Sequence, residues 1–380
     1  MSQTKVLHIS PAYKPAYLYG GPVISVSQLC EGQAALGAEV SVFATAANGK
    51  SDHDLPRDQP VWTEGVKVFY YKRDIKYPLH LSFLLLQRLY HQARYYDVIH
   101  IHSWWNFLCM LAVLICKLRG IKPVLAPRGM LGKYTFEGRF SFFKKVLHIL
   151  VGKWLLKNTL FHATAHTEQV ECMSLIPSWK GFILPNSIIF PKKEYKKSIN
   201  STFTVCFVSR IDPKKGLEIL LKAIALLNSQ VKLLIVGEGI YEYKISLKNL
   251  ANSLGIETQV EWLGWQQGEK KFKHMASADI MVLPSYNENF ANVVIEALSV
   301  GTAVVISDKV GLHQYVADNN FGWVCKTNVN SLLDNLAEAC HNVERRNKVF
   351  LSAPMKVMND FSVKNIAKKS ILKYEEMLNL

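Results

Sequence analysis

Short apolar runs alternate with helix-length segments along this chain of 380 residues, and they do so in two series. The first series comprises Val6–Ser10, Val40–Ala44, Val66–Tyr70, Val98–His102, Pro123–Ala126 and Leu160–Ala165. The second comprises Phe203–Val208, Lys232–Val236, Val260–Leu263, Ile280–Leu283, Ala303–Ile306 and Gly322–Cys325. Runs this short and this apolar predict strands covered on both faces. The segments between them predict crossover helices, for example Val23–Leu36, which Gly37 would terminate. The fold class expected is therefore α/β, with parallel, doubly wound sheets. The chain is too long for one ordinary core. The charged stretch Pro191–Asn200 separates the two series, so the expected division is a domain over 1–190, a linker over 191–202 and a second domain over 203–362. No repeat of solenoid period is present.

Composition narrows the function. Seven scattered cysteines form no Cys-x-x-Cys pair, which argues against a zinc site and a disulfide framework and for a reducing compartment. Met1–Ser10 reads as the approach to a first strand, not as a leader. The apolar stretch Phe107–Leu118 is too short to span a bilayer. The formal charge of +15 suits phosphorylated substrates, anionic lipid or nucleic acid. No nucleic-acid module accompanies it, so nucleic acid is not an expected partner.

The acidic pair Glu288 and Glu296 carries the most chemistry. Glu288 falls in the turn after the strand Ile280–Leu283, and Glu296 falls about two turns into a helix expected over Ala291–Val300. In an open α/β sheet, ligands bind beyond the carboxyl ends of the strands. The N–H groups of Asn289, Phe290, Ala291 and Asn292 are expected to face an anion there. Arg210 and Lys215 flank the turn after Phe203–Val208, where two cations near a helix start call for a negatively charged ligand. Gly20 and Gly21 allow a close backbone approach to phosphate. Gly237 opens Gly237-Glu238-Gly239, which lacks the third glycine of a dinucleotide fingerprint. Phosphates and hydroxyls together describe a nucleotide sugar.

The glutamate pair, with Ser209-Arg210-Ile211-Asp212-Pro213-Lys214-Lys215-Gly216 upstream and Gly301-Thr302-Ala303-Val304-Val305 downstream, resembles the signature of retaining glycosyltransferase family 4. The resemblance implies a GT-B fold, two Rossmann-like domains facing across a cleft, with the helical pattern over 363–380 completing the first domain. It implies that Arg210 and Lys215 bind the diphosphate, Glu288 the transferred sugar and Glu296 the ribose. Gly20 and Gly21 would cover the phosphates, and Gly237 and Leu263 would wall the nucleotide, although Leu263 also suits a core. The implied reaction is transfer with retained configuration. No Asp-x-Asp stands beside the diphosphate, so metal-independent transfer without a cofactor is expected.

The chain departs from the family at two places. Pro127-Arg128-Gly129-Met130-Leu131 puts Arg128 where many members carry histidine; it would bind donor phosphate or an acidic acceptor, or form a structural salt bridge. Ser187 stands where glycine is usual, which predicts a slightly strained turn. His102 ends the strand Val98–His102, and it and the following Ser103-Trp104-Trp105-Asn106, Trp104 foremost, could contact the acceptor, with a buried core histidine the alternative. Two stretches, 79–96 and 139–157, are amphipathic and basic; the second suits an anionic bilayer surface. These features point to a lipid-linked or oligosaccharide acceptor met at the inner face of the cytoplasmic membrane, in surface-polysaccharide synthesis. A phosphorylase or sucrose-type synthase, or a non-catalytic nucleotide-sugar-binding subunit, is the competing expectation.

Overall fold

In the computed structural model, which describes residues 3–56, 59–76, 79–132, 135, 141–196, 200–227 and 229–378, the chain forms two compact units. Unit 1 comprises Met1–Ser187 and Val363–Leu380, and unit 2 comprises Ile188–Ser362.

Unit 1 is built on ten strands: β1 (Lys5–Ser10), β2 (Glu39–Thr45), β3 (Ala47–Asn48), β4 (Ser51–Asp52), β5 (Pro60–Thr63), β6 (Val66–Tyr71), β7 (Val98–His102), β8 (Val124–Ala126), β9 (Leu160–Ala163) and β10 (Gly181–Ile183). Its main sheet runs β10-β9-β8-β7-β1-β2-β6-β5, parallel except for the edge strand β5. Side-chain alternation divides the core. Leu7, Ile9, Ile99 and Ile101 point toward the helices Phe83–Gln92 and Phe107–Leu118. Val40, Val42 and Ala44 point toward the helix Gly21–Ala35. The helix Val363–Leu378 packs against Gly21–Ala35, so the end of the chain belongs to the unit that begins it. Strand β9 stops two residues before the expected Ala165, because the Glu168 carboxylate accepts from the Thr164 N–H at 2.7 Å.

Unit 2 contains β11 (Phe203–Val208), β12 (Val231–Val236), β13 (Val260–Gly264), β14 (Ile280–Leu283), β15 (Ala303–Ser307) and β16 (Gly322–Cys325). They form one parallel sheet in the order β13-β12-β11-β14-β15-β16. Both sheets reverse their strand order at one point, between β11 and β14 in unit 2 and between β1 and β7 in unit 1. At such a point neighbouring loops diverge to opposite faces and leave a crevice.

Two expectations about local backbone fail. The helix bearing Glu296 starts at Asn292, because Ala291 adopts a left-handed conformation with φ 71°. Asn289, Phe290 and Ala291 therefore form a turn, not the first turn of a helix. Ser187 shows no left-handed strain; it is buried, and its hydroxyl donates to Gln28 Oε1 at 3.3 Å. Part of the basic stretch 139–157 (Arg139 and Phe140), part of the linker (197–199) and Leu380 lie outside the described residues.

Candidate active site

In unit 2 the loops after β11 and β14 meet at the switch point. Asp212 caps the turn Pro213–Lys215 by accepting from the Lys214 N–H at 2.9 Å. Gly216 follows with φ 68°, and a Cβ there would lie 2.3 Å from the Pro284 carbonyl oxygen. Only glycine permits that approach. The Tyr286 N–H then donates to the Lys214 carbonyl at 2.9 Å. This stitching brings buried Lys215 into an ion pair with half-buried Glu288. Glu288 is fixed in turn by its backbone, which donates to Lys309 O at 3.0 Å and accepts from the Gly311 N–H at 2.8 Å. Arg210 is exposed on the same loop. Burial lowers the Lys214 ammonium below its ordinary value; Lys215 and Arg210 push the same way, and Glu288 opposes them. The edge thus gathers three cations, Arg210, Lys214 and Lys215, beside the carboxylates of Glu288 and Asp212.

The glycines that follow β12 act on this loop from the side. A Cβ on Gly237 would lie 1.8 Å from Ser209 O, and one on Gly239 would lie 1.8 Å from Ile211 O. The Ile211 N–H donates to Glu238 O at 2.9 Å. Both glycines, in the segment that follows β12, therefore let the Arg210 loop pack closely against it. Leu263 is half-buried, and its carbonyl accepts from Gln266 Nε2 at 2.8 Å. Phe290 turns its ring inward, 3% exposed and edge-on to Phe361, so only its backbone is placed to meet a ligand. Glu296 pairs with Lys271 at 2.7 Å, while its Oε2 is buried without a partner.

In unit 1 a cavity of about 340 Å³ opens at the β1/β7 switch point. Its walls include Tyr19 from the loop after β1, Ser103 and Trp105 from the loop after β7, Arg128 and Met130 from the loop after β8, and His80. Six non-glycine residues among those described have positive φ, and three of them, His80, Ser103 and Arg128, line this cavity. Backbone strain of this kind concentrates at functional sites. Gly20 and Gly21, at the start of the helix Gly21–Ala35, have open space where a Cβ would stand.

Beneath the cavity lies a continuous hydrogen-bond chain. His162 Nε2 donates to the Leu184 carbonyl at 2.7 Å, so its Nδ1 accepts from His100 Nε2 at 3.1 Å. His100 Nδ1 must then accept from the Tyr374 hydroxyl at 2.7 Å, and that hydroxyl accepts from Gln33 Nε2 at 3.2 Å. Gln33 Oε1 accepts from His8 Nε2 at 2.8 Å, and His8 Nδ1 accepts from His102 Nε2 at 2.9 Å. His102 Nδ1 finally accepts from Arg128 Nη2 at 3.3 Å. One tautomer, Nε2-protonated, satisfies all four histidines. His8, His100 and His102 lie close enough to hold a metal ion, but each of their lone pairs is already engaged in this chain. Burial lowers all four histidines, His8 to about 4 and His162 to about 3, with the Arg128 charge reinforcing the effect. Arg128 also donates through Nη1 to Ser25 Oγ at 2.8 Å and to Asn186 Oδ1 at 3.2 Å.

Two family models match the two units in turn: "Glycosyl transferase 4-like domain" over residues 20–172 and "Glycosyl transferases group 1" over 191–350. The chain is a glycosyltransferase of the GT-B type. This glycosyltransferase is 26% identical to an uncharacterised glycosyltransferase of Methanocaldococcus jannaschii, over 98% of each chain. Its fold is similar to that of sucrose-phosphate synthase from Thermosynechococcus elongatus, with a TM-score of 0.79 at 22% identity, covering 99% of this chain and 100% of that one. It is similar also to Anabaena HepE crystallised with UDP-glucose, with a TM-score of 0.72 at 18% identity, covering 99% and 100%.

The glycosyltransferase groups Arg210, Lys215 and Glu288 on one edge of unit 2, and His102 and Arg128 at one cavity of unit 1. Trp104 is a correction: it is fully buried in the core, and Trp105 lines the cavity instead. The left-handed backbone at Ser103, φ 94°, ends the alternation of the strand before the two tryptophans. His102 is buried and sends its ring toward His8 and Arg128, so it supports the cavity floor. Sequence reasoning missed Lys271, which comes from the separate helix Gly268–Ser277, and it gave Lys214 no role.

Proposed function

We propose that this glycosyltransferase is retaining and metal-independent, and that it transfers a hexosyl group from a nucleoside diphosphate sugar to a hydroxyl of an acceptor bound by unit 1. One observation carries the reading: the Lys215–Glu288 pair, with Arg210 and Lys214 beside it, stands at the switch point of a parallel sheet. A diphosphate arriving there competes for Lys215 and releases the Glu288 carboxylate to accept hydroxyls of the transferred sugar. The acceptor oxygen attacks the anomeric carbon from the face the diphosphate leaves. The C–O bond to the diphosphate breaks as the new glycosidic bond forms, and the leaving phosphate oxygen takes the acceptor's proton. Arg210 and Lys215 stabilise the charge gathering on that oxygen. Glu296 binds ribose hydroxyls through its unpartnered Oε2. Gly20 and Gly21 leave room for phosphate against the backbone.

The acceptor is a lipid-linked saccharide met at the inner face of the cytoplasmic membrane, in the synthesis of a bacterial surface polysaccharide. The segment Ser141–Leu156 supports this. Phe142, Phe143, Ile149, Leu150 and Trp154 are exposed beside Lys144, Lys145, Lys153 and Lys157, a combination suited to an anionic interface. The other basic stretch has structural uses: Arg88 lies over the Phe69 ring and Arg94 donates to Arg119 O. Among the described residues no helix is long and apolar enough to cross a membrane. The test is release of nucleoside diphosphate from a panel of UDP- and GDP-sugars in the presence of membrane-extracted acceptor. Release that requires inorganic phosphate would favour a phosphorylase, and no release from any donor would favour a binding subunit.

A further inference from the structure

The cavity of unit 1 has an unbalanced charge. Arg128 is the one permanent cation on its wall, and no aspartate or glutamate lines it among the described residues. The hydrogen-bond partners of the guanidinium, Ser25, Asn186 and His102, are all uncharged. Its Nε is buried with no partner. The nearby Glu168 carboxylate favours the Arg128 charge through space but makes no ion pair with it and does not line the cavity; its oxygens accept from the Gly129 N–H at 2.6 Å, the Thr164 N–H at 2.7 Å and the Thr164 hydroxyl at 3.0 Å. The histidine chain supplies no counter-charge either, because it is neutral and turns only a lone pair toward Arg128. Desolvating a cation without a paired anion is costly, and a ligand that brings the anion recovers the cost. Tyr19, Trp105 and Met130 give the wall an apolar, aromatic part suited to the flat face of a sugar ring, with Ser103 and Asn106 beside it.

We propose that the acceptor carries an anionic group, a phosphate or a carboxylate, which docks on Arg128 and so fixes which hydroxyl is presented for transfer. This deepens the acceptor half of the reading above and rests on it. Arg128 is thereby a specificity-determining residue. The strained backbone at Arg128, Ser103 and His80 is the scaffold that aims it.

The test measures binding of glucose, glucose 6-phosphate and glucuronate to the full chain by calorimetry. The same titrations are run on Arg128→Met and on Met130→Glu. Met130 is 37% exposed, so the second substitution places a carboxylate on the cavity wall without disturbing the hydrogen-bond chain. The charged probes are expected to bind about tenfold or more tightly than glucose, as a charge-assisted contact implies. Both substitutions are expected to remove that preference. A preference for glucose 6-phosphate alone assigns the group as phosphate, and one for glucuronate alone assigns it as carboxylate. Equal or undetectable binding of all three probes to the unaltered chain overturns the proposal, as does a preference that survives both substitutions. UDP titrated into the same samples reports the donor reading separately: if UDP fails to bind, that reading falls while the probe comparison still decides this one.

Discussion

Lys215 and Glu288 meet in an ion pair although 73 positions separate them in the chain. The Gly216–Pro284 approach and the Tyr286–Lys214 hydrogen bond impose that meeting. On the function proposed above the pair is a placeholder: it satisfies a buried ammonium and an acid that a diphosphate and a sugar would take over.

Lys215→Ala should therefore reduce nucleoside diphosphate release by roughly a hundredfold or more, the scale of losing one preorganised charge stabiliser. Glu288→Gln should spare UDP binding while lowering turnover. Steady-state rates together with UDP-induced thermal stabilisation separate the two effects, and equal loss of UDP binding in both variants would contradict these assignments.

Transfer should persist in EDTA, because the cations at 210, 214 and 215 supply the positive charge at the diphosphate. Turnover is the readout. Activity abolished by EDTA and restored by magnesium would overturn the metal-independent mechanism.

Stability should fall on acidification. Burial holds the four histidines below their ordinary value of 6.5 in the folded chain. The unfolded chain therefore takes up protons first. Their contribution is complete above about pH 6.5 and is progressively lost below it, for His8 down to about 4 and for His162 down to about 3. Thermal melts between pH 7.5 and 5 measure this. Nitrogen-15 NMR should find all four rings Nε2-protonated; a charged ring at pH 7 would break the chain as drawn.

Tyr374→Phe removes the donor to His100 Nδ1 and an acceptor for Gln33 Nε2, both buried. The cost should be about 1–3 kcal/mol, read as a lower denaturant midpoint. UDP affinity, which the proposed function assigns to unit 2, should not change.

Flotation with liposomes should show binding that depends on anionic lipid and weakens with salt. Replacing Phe142, Leu150 and Trp154 together by serine should abolish it. Equal flotation with zwitterionic vesicles would remove the membrane assignment.

The parallel sheets were legible because both-face burial leaves short unbroken apolar runs, as in Ile280–Leu283, which matches β14 to the residue. The cluster of Arg210, Lys215 and Glu288 was legible because strand-end loops at a switch point must converge. The choice between Trp104 and Trp105 was not, since a single left-handed residue, Ser103, decides which of two adjacent tryptophans faces inward. The packing of Gly237 on Ser209 was not legible, because a glycine that admits a neighbouring backbone looks the same in sequence as one that admits a phosphate. The chain from Arg128 to Leu184 was invisible, since its members lie on β1, β7, β9 and two helices, and only tertiary packing sets them in line.

The helix Val363–Leu378 gives the molecule an order of assembly. On the ribosome, the first unit emerges nearly whole, yet the tyrosine that joins Gln33 to His100 is made only after unit 2. Nascent unit 1 must wait, with its polar centre unsealed, while all of unit 2 is synthesised. A fragment ending before residue 363 should therefore be a chaperone client, not a free-standing module.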